Sequence, residues 1–517
     1  MQTEKKQEMA FTTSNFLLLA AIILIFSILI TKTGYKFGVP SLLIFLIVGM
    51  IFGEDGLGIH YDNYNIAQFI GMIALTIILF TGGMGTRFND IRPILGPGLT
   101  LSTVGVLLTT VFTGFFIFGI GQVFNDAITL PLTFAILLAA TMSSTDSASV
   151  FSIIRSQKMK MHHNLQPLLE LESGSNDPMA YMLTIVMIQV IQNSGDSDIS
   201  AVTIILTFII QFALGFFNGY VFGRIYVLIH NRLKLENKAL YQILIVGFIF
   251  LTFAITDSLG GNGYLAVYIA GIVTGNAGMR TGKELKIKDL RFNWFGDSRL
   301  IERRNIEKLL DGLVWMVQII MFLNLGLLVN PSEMLDIAVP AVIIGLFVII
   351  IGRPLAVWLC LIPFKKISAK DKVFVSWVGL RGAAPIIFAT YPMVADVEDG
   401  KLIFNIVFFI TLLSLIIQGT TIPFMARKLN LGDIDNSSPE NFGVEIPDEI
   451  NALMQMQIVK DEALLKDYPL PQGTLVMFVK RDNNYLVPNG SIFLRKGDEI
   501  LLISKDNEPE IADEPKN

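Results

Sequence analysis

A succession of long apolar stretches separated by short polar loops limits what this chain can fold into. A helix that crosses a bilayer needs about 20 largely apolar residues, and its backbone groups must be paired within the segment. Against that length the sequence predicts thirteen spans: 15–31, 38–53, 65–84, 97–120, 131–154, 165–192, 200–228, 239–257, 262–278, 310–329, 336–362, 372–392 and 402–425. The second and ninth are short. The first resembles a signal peptide in its apolar run, but no small-residue cleavage site follows, so it reads as a span. Charged residues make up 16% of the chain. Soluble domains carry roughly a quarter, so an ordinary globular enzyme is excluded.

The loops predict an orientation. One alternate set holds Lys32, Lys36, Arg87, Arg92, Arg155, Lys158, Lys160, Arg232, Lys234, Lys238, a basic stretch from Arg280 to Lys308, Lys365 to Lys372, Arg427 and Lys428. The other holds Glu54, Asp55, Asp62, Asp126, Asp196, Asp198, Glu333, Asp336, Asp396, Glu398 and Asp399, with Lys401 its one base. Basic loops stay in the cytoplasm. The N-terminus is therefore expected outside and the C-terminus inside.

Of 44 acidic and 39 basic residues, 17 and 8 fall after residue 430, so a polar tail carries the excess of acid. That balance excludes a basic nucleic-acid binder. A single cysteine and four histidines exclude disulfide frameworks and structural zinc. The tail predicts a small cytoplasmic α+β domain, with strands at Thr474–Val479, Tyr485–Val487, Ser491–Leu494 and Glu499–Ser504 between Asn/Gly/Asp-rich turns. The expected organisation is a membrane domain over 1–430, a linker over 431–446 and the tail domain over 447–517. A domain that small has little core of its own, which suggests pairing with a second copy.

Ionisable groups at membrane depth are expensive and mark ion paths. Span five is interrupted by a hydroxyl-rich segment, Ala139 to Ser149, holding Asp146. Span six carries Glu170, Glu172, Ser173, Asn176, Asp177 and Pro178, and span twelve reads Gly379-Leu380-Arg381-Gly382-Ala383-Ala384-Pro385. Arg353, beside Pro354, lies in span eleven. Spans five and twelve read as discontinuous helices seven spans apart, as an inverted repeat of spans 1–6 and 8–13 requires. Where two broken helices cross, Asp146 is expected to offset positive half-helix N-termini and Arg381 negative C-termini. In span six Ser173 and Asp177 share a face, and Glu172 and Asn176 form the adjacent stripe. Carboxylate and hydroxyl oxygens suit a monovalent cation, and one carboxylate holding either a cation or a proton is the minimal device for exchange. Glu172 is expected to pair with Arg381. His162 and His163 read as a solvated cytoplasmic loop, and Gly260-Gly261-Asn262-Gly263 as a turn between spans. Neither a Walker A loop nor a potassium-channel filter is present.

Thr145-Asp146, Leu171-Glu172-Ser173-Gly174-Ser175-Asn176-Asp177-Pro178 and Gly379-Leu380-Arg381-Gly382-Ala383 resemble the signatures of the monovalent cation/proton antiporter superfamily, in its Na⁺/H⁺-exchanger-like NhaP branch. The resemblance implies thirteen spans, a homodimer and a mobile core that rocks to alternate access. It implies Asp177 as the ion carboxylate, with Ser173 and the Thr145 region as oxygen ligands. Asn176 then makes an Asn-Asp rather than Asp-Asp pair, which in the family accompanies electroneutral exchange. Where relatives often carry an acid in span three, this chain reads Phe80-Thr81-Gly82-Gly83. The tail, from Gln472 to Leu501, resembles TrkA-C-like regulatory modules, whose ligand can be a cyclic dinucleotide. Antiporters that join these two parts resemble the cell-volume-regulation type, assigned to K⁺/H⁺ exchange.

The expectation is an all-α polytopic inner-membrane protein of about thirteen helices with inverted repeats and two crossed discontinuous helices. It exchanges K⁺ or Na⁺ for H⁺ and is no enzyme. Its ion-site residues are Asp177, Ser173, Thr145, Asn176 and Asp146, with Asp146, Arg381 and Glu172 as charges of the crossing. No cofactor is expected beyond a regulatory nucleotide at the tail. A tail-gated cation channel and a non-transporting membrane sensor are the alternatives.

Overall fold

The computed structural model describes residues 41–123, 130–157, 159–162, 164–193, 201–233, 239–277, 303–434, 454–459, 461–470, 474–481 and 484–504, with isolated positions at 21, 25, 28, 29, 235 and 237. Apart from Lys158–Lys160, the chain divides between Gly432 and Asp433 into two compact units.

The first unit is helical. In order, its helices are α1 Ser41–Phe52, α2 Tyr64–Gly85, α3 Phe88–Gly121, α4 Leu132–Thr141, α5 Ser147–Ser156, α6 Leu165–Gln192 and α7 Ala201–Arg232. They continue with α8 Ala239–Ser258, α9 Gly263–Gly275, α10 Arg303–Leu327, α11 Pro331–Leu361, α12 Ala369–Trp377, α13 Ala383–Val394 and α14 Gly400–Lys428. Among the described residues seven of these are long and apolar enough to cross a membrane. Such helices are apolar on nearly all sides, as lipid and protein contacts together require. Predicted spans two to thirteen each coincide with one helix or one interrupted pair; the first lies almost wholly outside the described residues. The interrupted pairs are α4/α5 and α12/α13.

Side chains start several helices. The Asn63 side chain accepts the Ile66 N–H at 3.0 Å to cap α2, and Ser368 with Asp371 forms a reciprocal box at the head of α12. Within α3 and α11, single π-helical turns at Leu101–Gly105 and Val348–Gly352 re-aim the residues that follow. The second of these immediately precedes Arg353.

Helix α9 packs backbone to backbone on α2 and α7. A Cβ on Gly271 would lie 2.3 Å from the Phe80 carbonyl oxygen, and one on Gly83 2.3 Å from that of Tyr268. Toward α7, a Cβ on Gly219 would lie 2.4 Å from the Ala266 carbonyl oxygen. Small residues that let helix backbones touch are the usual way helices associate without water to drive them together.

The second unit, in its described residues, is built from strands and one short 3₁₀ turn rather than the expected α+β mixture. Strands β1 Met454–Ile458, β2 Thr474–Arg481, β3 Asn484–Leu486 and β4 Glu499–Ser504 form an antiparallel sheet in the order β1-β4-β2-β3. Strand β4 is central, with Ile500, Leu501 and Leu502 buried on its two faces. The ladder shifts register between Val476 and Phe478, a bulge that bends β2. Val459, Leu465, Tyr468, Val479, Leu494, Ile500 and Leu502 make the core. Strand β1 falls in a segment the sequence reading left unassigned. Buried Asp498 accepts two hydrogen bonds from Arg481, at 2.9 and 2.7 Å, and one from the Arg495 N–H. This partner set holds its carboxyl below the usual carboxylate value.

Two outcomes follow. Gly271→Ala should destabilise the helical unit by about 1–3 kcal/mol by overpacking, read as earlier heat-induced loss of monodisperse protein in detergent. Gly82→Ala, whose Cβ meets nothing within 4 Å, should not. In the tail, Arg481→Ala should accelerate amide exchange in β2 and β4 by about 10- to 100-fold at neutral pH, the worth of charge-assisted hydrogen bonds. Because the folded Asp498 value is depressed, its contribution is complete above the unfolded carboxylate range and vanishes as pH falls through the folded value. The wild-type and Arg481→Ala exchange rates should therefore converge in strong acid.

Candidate functional site

Two helix breaks meet in the membrane unit and satisfy one another. Residues 142–146 connect α4 to α5, and residues 378–382 connect α12 to α13. The Asp146 N–H donates to the Leu380 carbonyl at 2.8 Å, joining the breaks through the backbone. The Arg381 side chain, 1% exposed, donates through Nη1 to the Ser144 carbonyl at 2.8 Å and to that of Ser143 at 3.3 Å. A cation thus lies at the C-terminal end of α4. Asp146 accepts the Ser149 N–H at 3.1 Å and the Ser149 hydroxyl at 2.5 Å, which caps α5. A Cβ on Gly382 would sit 2.4 Å from Asp146 Oδ2. Glycine at that position lets one carboxylate reach the N-terminal ends of both α5 and α13.

The rest of the second break is held by α14. Ser414 accepts the Arg381 N–H at 3.0 Å and donates to Gln418, whose amide donates to the Trp377 carbonyl at 2.7 Å. Both residues are fully buried. The sequence reading missed them, although a Ser and a Gln four residues apart in an apolar span are the available signal.

Glu172 does not pair with Arg381. Its carboxylate accepts from Arg353 Nη2 at 2.8 Å, with both side chains nearly inaccessible. Arg353 follows the π-helical turn in α11 and meets α6, while Arg381 is engaged by the Ser143 and Ser144 carbonyls of the first break. Arg353 also donates to the Val375 carbonyl of α12 at 3.4 Å. A Cβ on Gly379 would lie 2.0 Å from Arg353 Nε, so only glycine admits the guanidinium there.

The polar face of α6 lies against the first break. Ser173 donates to the Thr145 carbonyl at 2.8 Å and accepts the Ser147 N–H at 3.0 Å. Asn176 donates to the Thr145 hydroxyl at 2.7 Å. Asp177 faces the Ser144 hydroxyl and lies within electrostatic reach of Asp146. It is half-buried, as is Asp146, whereas Asn176 is wholly inaccessible. Asn176 Oδ1 is buried and accepts no hydrogen bond among the described residues. The neighbourhood therefore offers the half-buried Asp177 carboxylate, the Ser144 hydroxyl it faces and the unused Asn176 amide oxygen, a donor set of the kind that replaces the hydration shell of a hard monovalent cation. Thr81 lies outside this hydrogen-bond set, its hydroxyl donating to the Ile77 carbonyl of its own helix at 2.8 Å. His162 donates its N–H to the Leu431 carbonyl at 3.0 Å, and His163 lies outside the described residues.

Residues 19–428 match the transmembrane sodium/hydrogen exchanger family. The chain belongs to that family. This makes it a polytopic cation/proton exchanger and not an enzyme. It is 37% identical over 504 residues to a K(+)/H(+) antiporter NhaP2 of Shewanella sp. (strain MR-4), covering 96% of this chain and 82% of that protein. Identity to the K(+)/H(+) antiporter NhaP of Alkalimonas amylolytica is also 37%, over 95% of this chain and 81% of that one. The Na(+)/H(+) antiporter ApNhaP of Aphanothece halophytica is 26% identical over 76% of this chain and 70% of its own. The solved sodium proton antiporter MjNhaP1 of Methanocaldococcus jannaschii shares the fold, with a TM-score of 0.66 and 22% identity over 80% of this chain and 98% of that one.

The Glu172–Arg353 pair carries a prediction of its own. Arg353→Met leaves a buried carboxylate without its cation and should cost about 3–5 kcal/mol. Adding Glu172→Leu should return most of that loss, because an apolar pair no longer needs charge compensation. Thermal denaturation in detergent of the two single variants and the double variant measures the recovery.

Proposed function

We propose that the exchanger moves K⁺ against H⁺, one for one, with cation and proton competing for Asp177. The observation that carries this reading is the half-buried Asp177 carboxylate facing the Ser144 hydroxyl, with the unused amide oxygen of the adjoining Asn176, at the crossing of two broken helices. A carboxylate that accepts either ion, but not both together, couples their movements. Asn176 is neutral, so a single carboxylate carries one positive charge in each direction, K⁺ one way and H⁺ the other, and membrane voltage does no net work on the cycle. Thr145 and Ser173 hold the α6 face against the first break. Asp146 and Arg381 compensate the helix ends there without leaving the crossing. Support for potassium comes from the relatives of 36–37% identity, which are K(+)/H(+) antiporters.

The proposal extends to the whole molecule: thirteen spans in an inverted repeat, N-terminus outside and C-terminus in the cytoplasm, in the bacterial inner membrane. A homodimer forms through the membrane domain (1–430) and the tail. The tail (447–517) acts as a TrkA-C-like regulatory module joined by a linker over 431–446, and takes a nucleotide ligand.

Sealed proteoliposomes with an imposed pH gradient test the core of this reading. Addition of K⁺ should dissipate the gradient, more strongly than Na⁺ or Li⁺ and independently of clamped voltage. Asp177→Asn should abolish this flux while the protein stays folded and extractable. Exchange retained in Asp177→Asn removes Asp177 from the mechanism. Voltage-driven cation flux without proton movement would mean a channel.

A further inference from the structure

We infer that Asn262, in the turn between α8 and α9, is a positioning residue for exchange: its side-chain amide holds the turn of α6 that carries Asp177. The inference rests on the assignment of Asp177 as the exchange carboxylate. Asn262 is 0% exposed. Its Nδ2 donates at 2.8 Å to the carbonyl of Pro178, the residue that follows Asp177. The two residues are 84 apart in sequence, so this is a tertiary contact and no local turn.

Every other group of Asn262 is fixed. Its Oδ1 accepts the Leu265 N–H at 3.0 Å and caps α9. Its backbone N–H donates to the Gln211 carbonyl of α7 at 3.0 Å, and its carbonyl accepts the Ala266 N–H at 3.1 Å. Gly215 of α7 packs directly on that carbonyl, its Cβ position only 2.8 Å away. The amide therefore projects from the α2/α7/α9 block, in which backbones touch, and cannot follow α6 if α6 shifts.

The receiving end is the weak point of α6. Pro178 has no N–H and removes one intrahelical bond where Asp177 must be held. Gly174, one turn earlier, has no side chain, and the Tyr268 ring of α9 fills its place. Asn262 and Tyr268 thus grip the same turn from one helix, on either side of Asp177. On its other side that turn is held by Asn176 on Thr145 and Ser173 on the first break. Loss of the Asn262 donor leaves the carboxylate fastened to the break alone, free to drift from the oxygens it shares a cation with.

Asn262→Asp isolates this role, because the carboxylate still caps α9 but presents an acceptor to the Pro178 carbonyl. Asn276 supplies the matched control. It caps the opposite end of the same region, donating to the Thr86 carbonyl at 2.9 Å and accepting the Phe88 N–H at 2.8 Å, and among the described residues its side chain makes no hydrogen bond to α6. In full-length protein in proteoliposomes, Asn262→Asp should raise the apparent KM for K⁺ about three- to tenfold, the worth of one hydrogen bond, and shift the pH profile of exchange. Asn276→Asp should change amount or maximal rate with KM and pH profile unmoved. Asn262→Ser, which keeps a cap but is too short to reach Pro178, should reproduce the KM change without the added charge. An unchanged KM and pH profile in both Asn262 variants, or the same change in Asn276→Asp, overturns the positioning role. If Asp177→Asn retains exchange, the underlying site assignment fails instead, so the two failures are told apart.

Discussion

Unpaired backbone cannot be left in a bilayer, and this molecule carries two interruptions of helix at that depth. The hydrogen bond from the Asp146 N–H to the Leu380 carbonyl is where the difficulty is resolved, since each break serves as partner to the other. The charges follow from it. Asp146 stands at the exposed N–H ends, Arg381 at the carbonyl end of α4, and Arg353 near that of α12. The glycines at 379 and 382 are then steric requirements, because Arg353 and Asp146 occupy the volumes their side chains would need. On the proposed reading a cation path is tolerable here for the same reason: the donors and acceptors that unwound backbone demands are already assembled.

Much of this was legible in the sequence because membrane length is a hard constraint. Most span limits came within about five residues of the observed helices, since apolar runs end where polar loops begin, while α3 and α10 begin nine and seven residues before the predicted limits. The two breaks were visible as the places where hydroxyls, glycines and single charges interrupt those runs. Pairing between charges was not visible. Glu172 has two arginines to choose from, and the choice depends on a π-helical turn in α11 that no residue pattern announces. Ser414 and Gln418 escaped notice because neutral polar side chains in a span commonly bond back to their own helix.

The tail was read less completely. Strands β2, β3 and β4 are flanked by Asn-, Gly- and Asp-rich turns, which mark them. Strand β1 alternates Met and Gln, residues with little preference for strand, and its identity is decided by pairing with β4 some 45 residues later. Asn262 is a related case in the membrane unit. Its Gly-rich surroundings announced a turn correctly, but its reach to Pro178 is a tertiary fact.

Counting charge around the crossing gives a further consequence. Asp146, Glu172 and Asp177 are balanced by Arg353 and Arg381 save for one negative unit. On the proposed reading, a proton or a potassium ion at Asp177 cancels that unit, and the loaded core is neutral with either passenger. The empty core keeps its charge, and carrying an uncompensated carboxylate through a low-dielectric interior is costly. An unloaded return is therefore the disfavoured step. Leakage of one gradient without the other is suppressed by the same arithmetic that makes the loaded steps easy, and tight coupling needs no separate gate.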